Sequence, residues 1–560
     1  MKMVKSLILG SAAGLLAMSG AQAADLPVKA KAVEYVRICS LYGAGFYYIP
    51  GTDTCIKLGG YLRVDALFAT NADDTGNVSG PAGGRNRFLN YYTARSREDL
   101  NIDTRTATEY GVVRTYFDAT FSWTTDSYGN NGAVQGSTVY SPIGGVSAPY
   151  VTVPGGPFGF AGTNPAISPA SAPNNANAGA VAGGTVGVYY AFIQFAGFTL
   201  GKAVSQFSAP FVNYPGNLFD GLVGGGGTVT GVNQLTYTAQ FGNGVSASIG
   251  VQDQVAYYQA GVQNLSAAAT VLTLPGTPLV PPTFAGTSGA SDYGGTVAPD
   301  VVATLQVDQA WGSAKGSVAL HDNHAAYYGG PTIGAGLSGT ELAGHPADKW
   351  GWAIQGALSV KTPFTGAGDV LNIQGVYTDG ATRYNIQDLA AAYGGVALFG
   401  GTSNPLAYNS IALNFAPDTV FVTGSDQHSV KTWGMRGAFT HNWDPFWNSS
   451  LYGAYAAVRF DDFSKVNICS LSPWTGALVT ACNPDYDIAQ LGVVTRWTPV
   501  KNLTFAADLT WSHIDQKNAG VITGLTNSVT YPVGKPIRPV GYEFKDQDTL
   551  ILLLRAQRNF

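Results

Sequence analysis

Most of this chain repeats one pattern, segments of about ten residues in which apolar and polar side chains alternate with a period of two. Over 56–69, Ile56, Leu58, Leu62, Val64 and Phe68 share one face, and Lys57, Tyr61, Arg63 and Asp65 share the other. Over 91–105, Thr93, Arg95, Arg97, Asp99, Asn101 and Asp103 form a polar face. Tyr92, Ala94, Leu100 and Ile102 form the opposite one, with Glu98 as its exception. "VVATLQVD" from Val301 and "LTFAADLTW" from Leu503 alternate in the same way. Successive side chains of a strand point to opposite faces, so these segments read as strands with one apolar and one polar side. After residue 23 there is no run of eighteen apolar residues and no sustained helical period.

The connections between these segments fall into two kinds. Gly242-Asn243-Gly244, Trp311–Ala314 and Asp444–Trp447 are very short turns. The alternate connections are long and rich in Gly, Pro, Asn and Ser, including the low-complexity stretch 124–185, read as an external loop. A soluble sandwich or propeller also alternates, but it does not sort its turns in this way. The chain also ends inside an unbroken strand, "DTLILLLRAQRNF". In lipid every backbone N–H and C=O must be paired, so a membrane sheet must close on itself. Short turns at one rim, long loops at the other and strands of about ten residues describe such a barrel. The expected fold is an all-β, transmembrane antiparallel β-barrel with short periplasmic turns and long extracellular loops. One strand at 56–69, seven hairpin pairs and a closing strand at 547–560 give sixteen strands, with both ends at the short-turn rim. Trp350, Trp443, Trp497 and Trp511 fall near strand ends, where an aromatic girdle belongs.

Only 12% of residues are charged, the formal net charge is −5 and there is no basic block, which argues against a nucleic-acid partner. Lys2 and Lys5, the apolar stretch Leu7–Ala17 and Ala21-Gln22-Ala23 make a secretory signal over 1–23, leaving 24–560 for the barrel. Export implies an oxidising compartment. Local links Cys39–Cys55 and Cys469–Cys482 are the simplest of the three possible connectivities. No Cys-x-x-Cys or His–Cys grouping points to a metal.

The stretch "CSLYGAGFYYIPGTDTCIKLGGYLR" from Cys39, the arginine-rich hairpin after it and the terminal "RAQRNF" resemble the alphaproteobacterial general porins. That resemblance implies a homotrimer of sixteen-stranded outer-membrane porins, passing small hydrophilic solutes and ions by passive diffusion without a cofactor. It also implies a loop after the fifth strand that folds into the pore. Its equivalent here is 206–227, "QFSAPFVNYPGNLFDGLVGGGG", whose one charge is Asp220.

The alternation puts Arg63, Arg95, Arg97 and Arg114 on the lumen face of the first three strands, together with Asp65, Asp99, Asp103 and Asp118. One reading makes the four arginines a positive constriction wall that faces the loop carrying Asp220 and favours anions. The other makes them partners in wall salt bridges with little effect on selectivity. Glu98, on the lipid side, would be costly in a bilayer. With Ser96, Thr104 and Thr115 it reads instead as part of a subunit interface. Rival functions are a solute-specific channel and an outer-membrane enzyme or adhesion barrel. The glycines of "GLVGGGGT" lack the Gly-Lys-Ser/Thr of a phosphate loop. "HDNH" at 321–324 reads as a strand end entering a loop rather than a metal site. Ser512 and His513 are adjacent on a strand, so they face opposite ways and cannot act as nucleophile and base. No acid, base and nucleophile converge elsewhere, so the reading is not that of an enzyme.

Overall fold

The computed structural model of the protein describes residues 37–70, 92–124, 180–181, 184–218, 222–226, 231–254, 260–266, 271–273, 283–285, 293–329, 340–386, 396–407, 409–471, 474–522 and 541–560. The expected signal at 1–23, most of the expected loop at 124–185 and Asp220 lie outside them.

Sixteen strands close on themselves. They are β1 (Cys55–Ala69), β2 (Tyr92–Thr108), β3 (Gly111–Thr124), β4 (Gly184–Phe195), β5 (Phe198–Ala203), β6 (Val232–Gly242), β7 (Val245–Gln252) and β8 (Asp300–Gln309). Then follow β9 (Gly312–Asn323), β10 (Lys349–Lys361), β11 (Val370–Asp379), β12 (Lys431–Asn442), β13 (Trp447–Arg459), β14 (Tyr486–Val500), β15 (Leu503–Gln516) and β16 (Gln547–Asn559). Each pairs with its neighbours in sequence, and β16 returns to β1 with Arg63 opposite Gln557 and Asp65 opposite Arg555. Closure removes the free edge that lipid would not tolerate. The short turns suit this geometry. Between β6 and β7, Asn243 and Gly244 have φ of 48° and 73°, the left-handed pair that a tight hairpin needs, and a Cβ on Gly244 would run into the Asp308 carbonyl.

The alternation settles which way each side chain points. Leu58, Leu62, Val64 and Phe68 are exposed on the outside of β1, while Asp65 and Leu67 are buried towards the lumen. On β15 the exposed Phe505, Leu509 and Trp511 alternate with the buried Asp508, Thr510 and Ser512. Aromatics ring both ends of the outer face. Trp443, Trp447, Trp497 and Phe505 lie near the short turns, and Trp350, Trp352, Trp433 and Trp511 near the long connections.

The lumen wall is less uniformly polar than period two suggests. On β12–β15 the inward Ala438, Tyr452, Ala454, Ala456, Val458, Ile488, Val494 and Ile514 join a buried apolar cluster. Leu398, Ile411, Phe415, Val420, Ile522, Tyr542 and Phe544 from the long connections belong to the same cluster. A small five-stranded sheet, 396–400, 409–414, 542–544, 519–522 and 479–481 in that order, carries several of these residues. It is tied to the barrel where Gln516 donates to the Ile411 carbonyl at 2.8 Å and Gln547 to Ser410 Oγ at 2.9 Å. A connection that folds back over the wall needs apolar inward residues beneath it, which accounts for the departure from alternation. Among the described residues the α-helix α1 (Asp462–Cys469) is capped by Asp461, which accepts from the Ser464 N–H at 2.8 Å. No described helix is long and apolar enough to cross a membrane.

Residues 37–56 form a compact unit of their own. Cys39 and Cys55 are disulfide-bonded with Cα atoms 6.0 Å apart, and with Phe46 they make a small buried core. Tyr47–Tyr48 pairs antiparallel with Cys55–Ile56. Gly43 turns the chain with φ of 99°, and Arg37 lies 4.8 Å from the Tyr48 ring. The second bridge is Cys469–Cys482, so both cysteine pairs are local.

Candidate functional site

The segment after β5 leaves the wall and crosses the lumen. Its start is held by Ser205, which donates to Gln252 at 2.7 Å, and by Phe207, buried against Tyr384 at 4.6 Å between ring centroids. The Phe207 carbonyl accepts from Gln355 on β10. Further along, the Pro215 carbonyl accepts from Asn372 at 2.6 Å and the Gly216 carbonyl from Arg496 at 2.6 Å. Leu218 N–H donates to Asp508 at 2.6 Å and Val223 N–H to Gln490 at 2.8 Å. A loop that starts on β5 therefore ends its hydrogen bonds on β11, β14 and β15, across the ring of strands. Side chains satisfy these backbone groups, and others are met by backbone, Val212 N–H donating to the Ala209 carbonyl at 2.9 Å and Gly225 N–H to the Asn385 carbonyl at 3.0 Å.

Arg436 on β12 is the main clasp. Fully buried, it donates to Gln374 at 2.8 Å, to Asn213 at 3.2 Å, and to the carbonyls of Leu222 and Val212, each at 3.2 Å. Val212 has φ of 55°, a conformation that β-branched residues rarely take.

The four arginines of the expected wall are distributed unevenly. Arg63 lies beside the tip of the inner loop and donates to Gln557 at 2.8 Å. Arg95 is buried against Asp65 at 3.1 Å, and Arg555 from β16 meets the other oxygen of Asp65 at 2.7 Å. Arg97 is buried and donates to Ser122 at 2.8 Å and Tyr189 at 2.9 Å. Arg114 holds Asp103 at 3.0 Å beside Arg105, and donates to Gln194 at 3.0 Å. Arg114 pairs with Arg105, ten residues along β2 from Arg95, or roughly 34 Å of strand. Arg63 and Arg95 are thus brought together around Asp65, while Arg114 sits towards the short-turn rim. Glu98 faces outward, half-buried, opposite Phe121, and Thr104 hydrogen-bonds Thr115 on the same outer surface.

The alternation alone does not single out Arg436, Arg496 and Arg555, which hold the inner loop or line the space beside it. Parity was enough to turn each inward, since Arg496 precedes the outward Trp497 and Arg555 follows the outward Leu554. Their depth was not available, because it depends on strand stagger.

The other sequence candidates resolve as follows. His321 is buried with Nδ1 at 2.9 Å from Asp300 and Nε2 at 3.5 Å from Asp418, and His324 pairs with Asp348 at 2.8 Å. Among the described residues no three His, Cys, Asp or Glu side chains gather as a metal site. Ser512 is buried on the lumen side, while His513 pairs with Asp548 on the outer side at 2.9 Å.

A family model described as "Porin subfamily" matches residues 25–550. Porin Omp2b of Brucella canis is 30% identical over 320 residues, covering 56% of this chain and 65% of that protein. Porin Omp2a of Brucella ovis is 33% identical over 252 residues, covering 44% of this chain and 59% of that protein. The matches therefore span a little under two thirds of the length of these relatives. The solved outer membrane channel DcaP of Acinetobacter baumannii aligns with 92% of this chain and 99% of its own, at 14% identity and a TM-score of 0.47. The lipid-facing belt and the closed strand ring fit a multi-pass barrel of the outer membrane. From the family match over nearly its whole length, this chain belongs to the porin subfamily.

Proposed function

We propose that the protein is a water-filled passive channel through which small hydrophilic solutes and ions cross the outer membrane, with no catalytic step. The observation that carries this reading is the inner loop, held across the lumen of a closed barrel by buried side chains. A loop in that position sets the width and the charge of the passage, as a selectivity element must. Arg63, Arg95, Arg97 and Arg114 supply positive charge to the lumen wall, and guanidinium groups stay charged at any working pH. Asp65, Asp103 and Asp118 offset part of it, so the bias towards anions is modest. A homotrimer with the short turns at the periplasmic rim completes the proposal, Glu98 lying in the contact between subunits.

The test is a planar-bilayer recording under a salt gradient. Wild type should give ohmic steps with a reversal potential on the anion-selective side or near zero. Changing the four arginines to glutamine should move it towards cations. A reversal potential that stays put would make the arginines structural partners only. The apolar cluster that draws the long connections onto β12–β15 favours a second reading, a channel narrowed for particular solutes. Saturating flux for one solute class would decide for it.

A further inference from the structure

Beyond bulk ion flow, we infer a built oxyanion-binding station beside the tip of the inner loop, made by Arg63, Arg496 and Arg555 and fitted to small solutes that carry carboxylate or phosphate groups. The inference rests on the channel reading above. A void of about 330 Å³ opens there, between the loop and the wall of β14, β15, β16 and β1. Three guanidinium groups line it, with Gln557, Tyr214 and Leu218 among the other lining residues, and no carboxylate does.

The nearby carboxylates are engaged elsewhere. Asp65 is divided between Arg95 and Arg555. Asp508 accepts from the Leu218 N–H and the Tyr452 hydroxyl. Asp99, on β2 beside β1, is also within electrostatic reach of Arg63 and lowers the net field without lining the void. Four guanidinium groups around Asp65 and Asp508 leave two positive charges in excess, and Asp99 takes up part of that excess.

The arginines are also held in place. Arg63 is fixed by Gln557, Arg555 by Asp65, and Arg496 by Asn448 at 3.3 Å, Ser450 at 3.0 Å and the Gly216 carbonyl. Preset guanidinium forks match the two oxygens of a carboxylate or phosphate better than a halide. Leu218 and Ala506 supply an apolar wall for a short carbon chain. Because Arg496 also holds Gly216, occupancy of the void and the position of the loop share one side chain.

The experiment records single channels in potassium chloride with succinate or inorganic phosphate added to one side. Resolvable current interruptions should appear with either oxyanion and not with extra chloride, and the stronger blocker reports whether carboxylate or phosphate solutes fit better. Arg496→Gln and, separately, Arg63→Gln should shorten the block by about tenfold, the loss of one charge-assisted contact. Arg496→Lys keeps the charge but not the fork, so it should lose most of the block. If Arg496→Gln fails to insert, Arg63→Gln decides. Conductance that neither oxyanion interrupts overturns the station and leaves the channel standing. Block as strong in Arg496→Lys as in wild type also overturns it, because a plain positive field then suffices. No conductance at all overturns both.

Discussion

Asp65 is the residue on which the β1–β16 seam depends most. It has no exposed surface and faces Arg95 and Arg555 on opposite sides. Asp65→Asn would leave two guanidinium groups crowded in the wall with no counter-charge between them. Breaking a buried pair in this way costs on the order of 3 kcal/mol, so the heat-induced mobility shift on a semi-native gel should move to lower temperature. The same variant should become more anion-selective in bilayers.

Asp369, in the turn before β11, gives a pH signature at the short-turn rim. Burial pushes its pKa up, but hydrogen bonds from the Asn442 N–H at 2.9 Å, the His441 ring and the Thr365 hydroxyl outweigh that and hold it at about 2. A depressed carboxyl pKa stabilises the fold above its ordinary value near 3.8, and that stabilisation fades as pH falls through about 2. Asp369→Asn should therefore lower the unfolding midpoint above pH 4 and leave it unchanged near pH 2. Unfolding curves of both proteins from pH 2 to pH 6 would check this.

At the scale of elements, the inner loop belongs to no strand of the barrel, and side chains of distant strands join its own backbone turns in holding it. Arg436 supplies three of the side-chain bonds, to Asn213, Leu222 and Val212, and Val212 is held in a left-handed conformation. Arg436→Met keeps most of the buried volume but leaves the Val212 and Leu222 carbonyls without that donor. Each unsatisfied buried group costs about 1–3 kcal/mol, enough to loosen the loop while the strands stay paired. The expected result is normal insertion with open-channel current noise several times that of wild type. Quiet channels would show that the remaining anchors at Pro215, Gly216 and Leu218 suffice. Helix α1 is pinned differently. Asp461 caps it and meets His428 at 2.6 Å, while the His428 ring stacks on Phe463 at 3.8 Å. Burial pushes the Asp461 carboxyl up, but the bonds from Ser464 and His428 hold it below the usual carboxylate range.

For the whole molecule, closure is the governing fact, and the outer surface must then meet either lipid or another copy of the chain. Glu98 is a carboxylate on that surface with Ser96 and the Thr104–Thr115 pair nearby. If the proposed trimer forms through this face, Glu98→Arg should make it dissociate at lower temperature while the monomer keeps its β-rich circular dichroism. An oligomer of unchanged heat resistance would put the contact on other strands.

The sequence by itself determined the class of fold, the strand boundaries to within a few residues and the side of the wall that residues face on the strongly alternating strands, though not over 186–203 and 448–459, where the pattern is ambiguous. Period two is a local property of an extended backbone, readable at Leu62, Arg63 and Val64 without any knowledge of what lies beside them. The local cysteine pairing was legible in the same way, from Cys39 and Cys55 on one short loop. Depth and partnership were decided only in three dimensions. Arg63, Arg496 and Arg555 come from β1, β14 and β16, and they line one void because tilt and stagger bring those strands to a common level. Arg114 lies far from Arg95 for a local reason, the hairpin register that sets it opposite Arg105, although both point inward. The path of the inner loop depends on Arg436, Arg496 and Asp508, more than 200 residues further along the chain, and no local pattern encodes contacts of that separation.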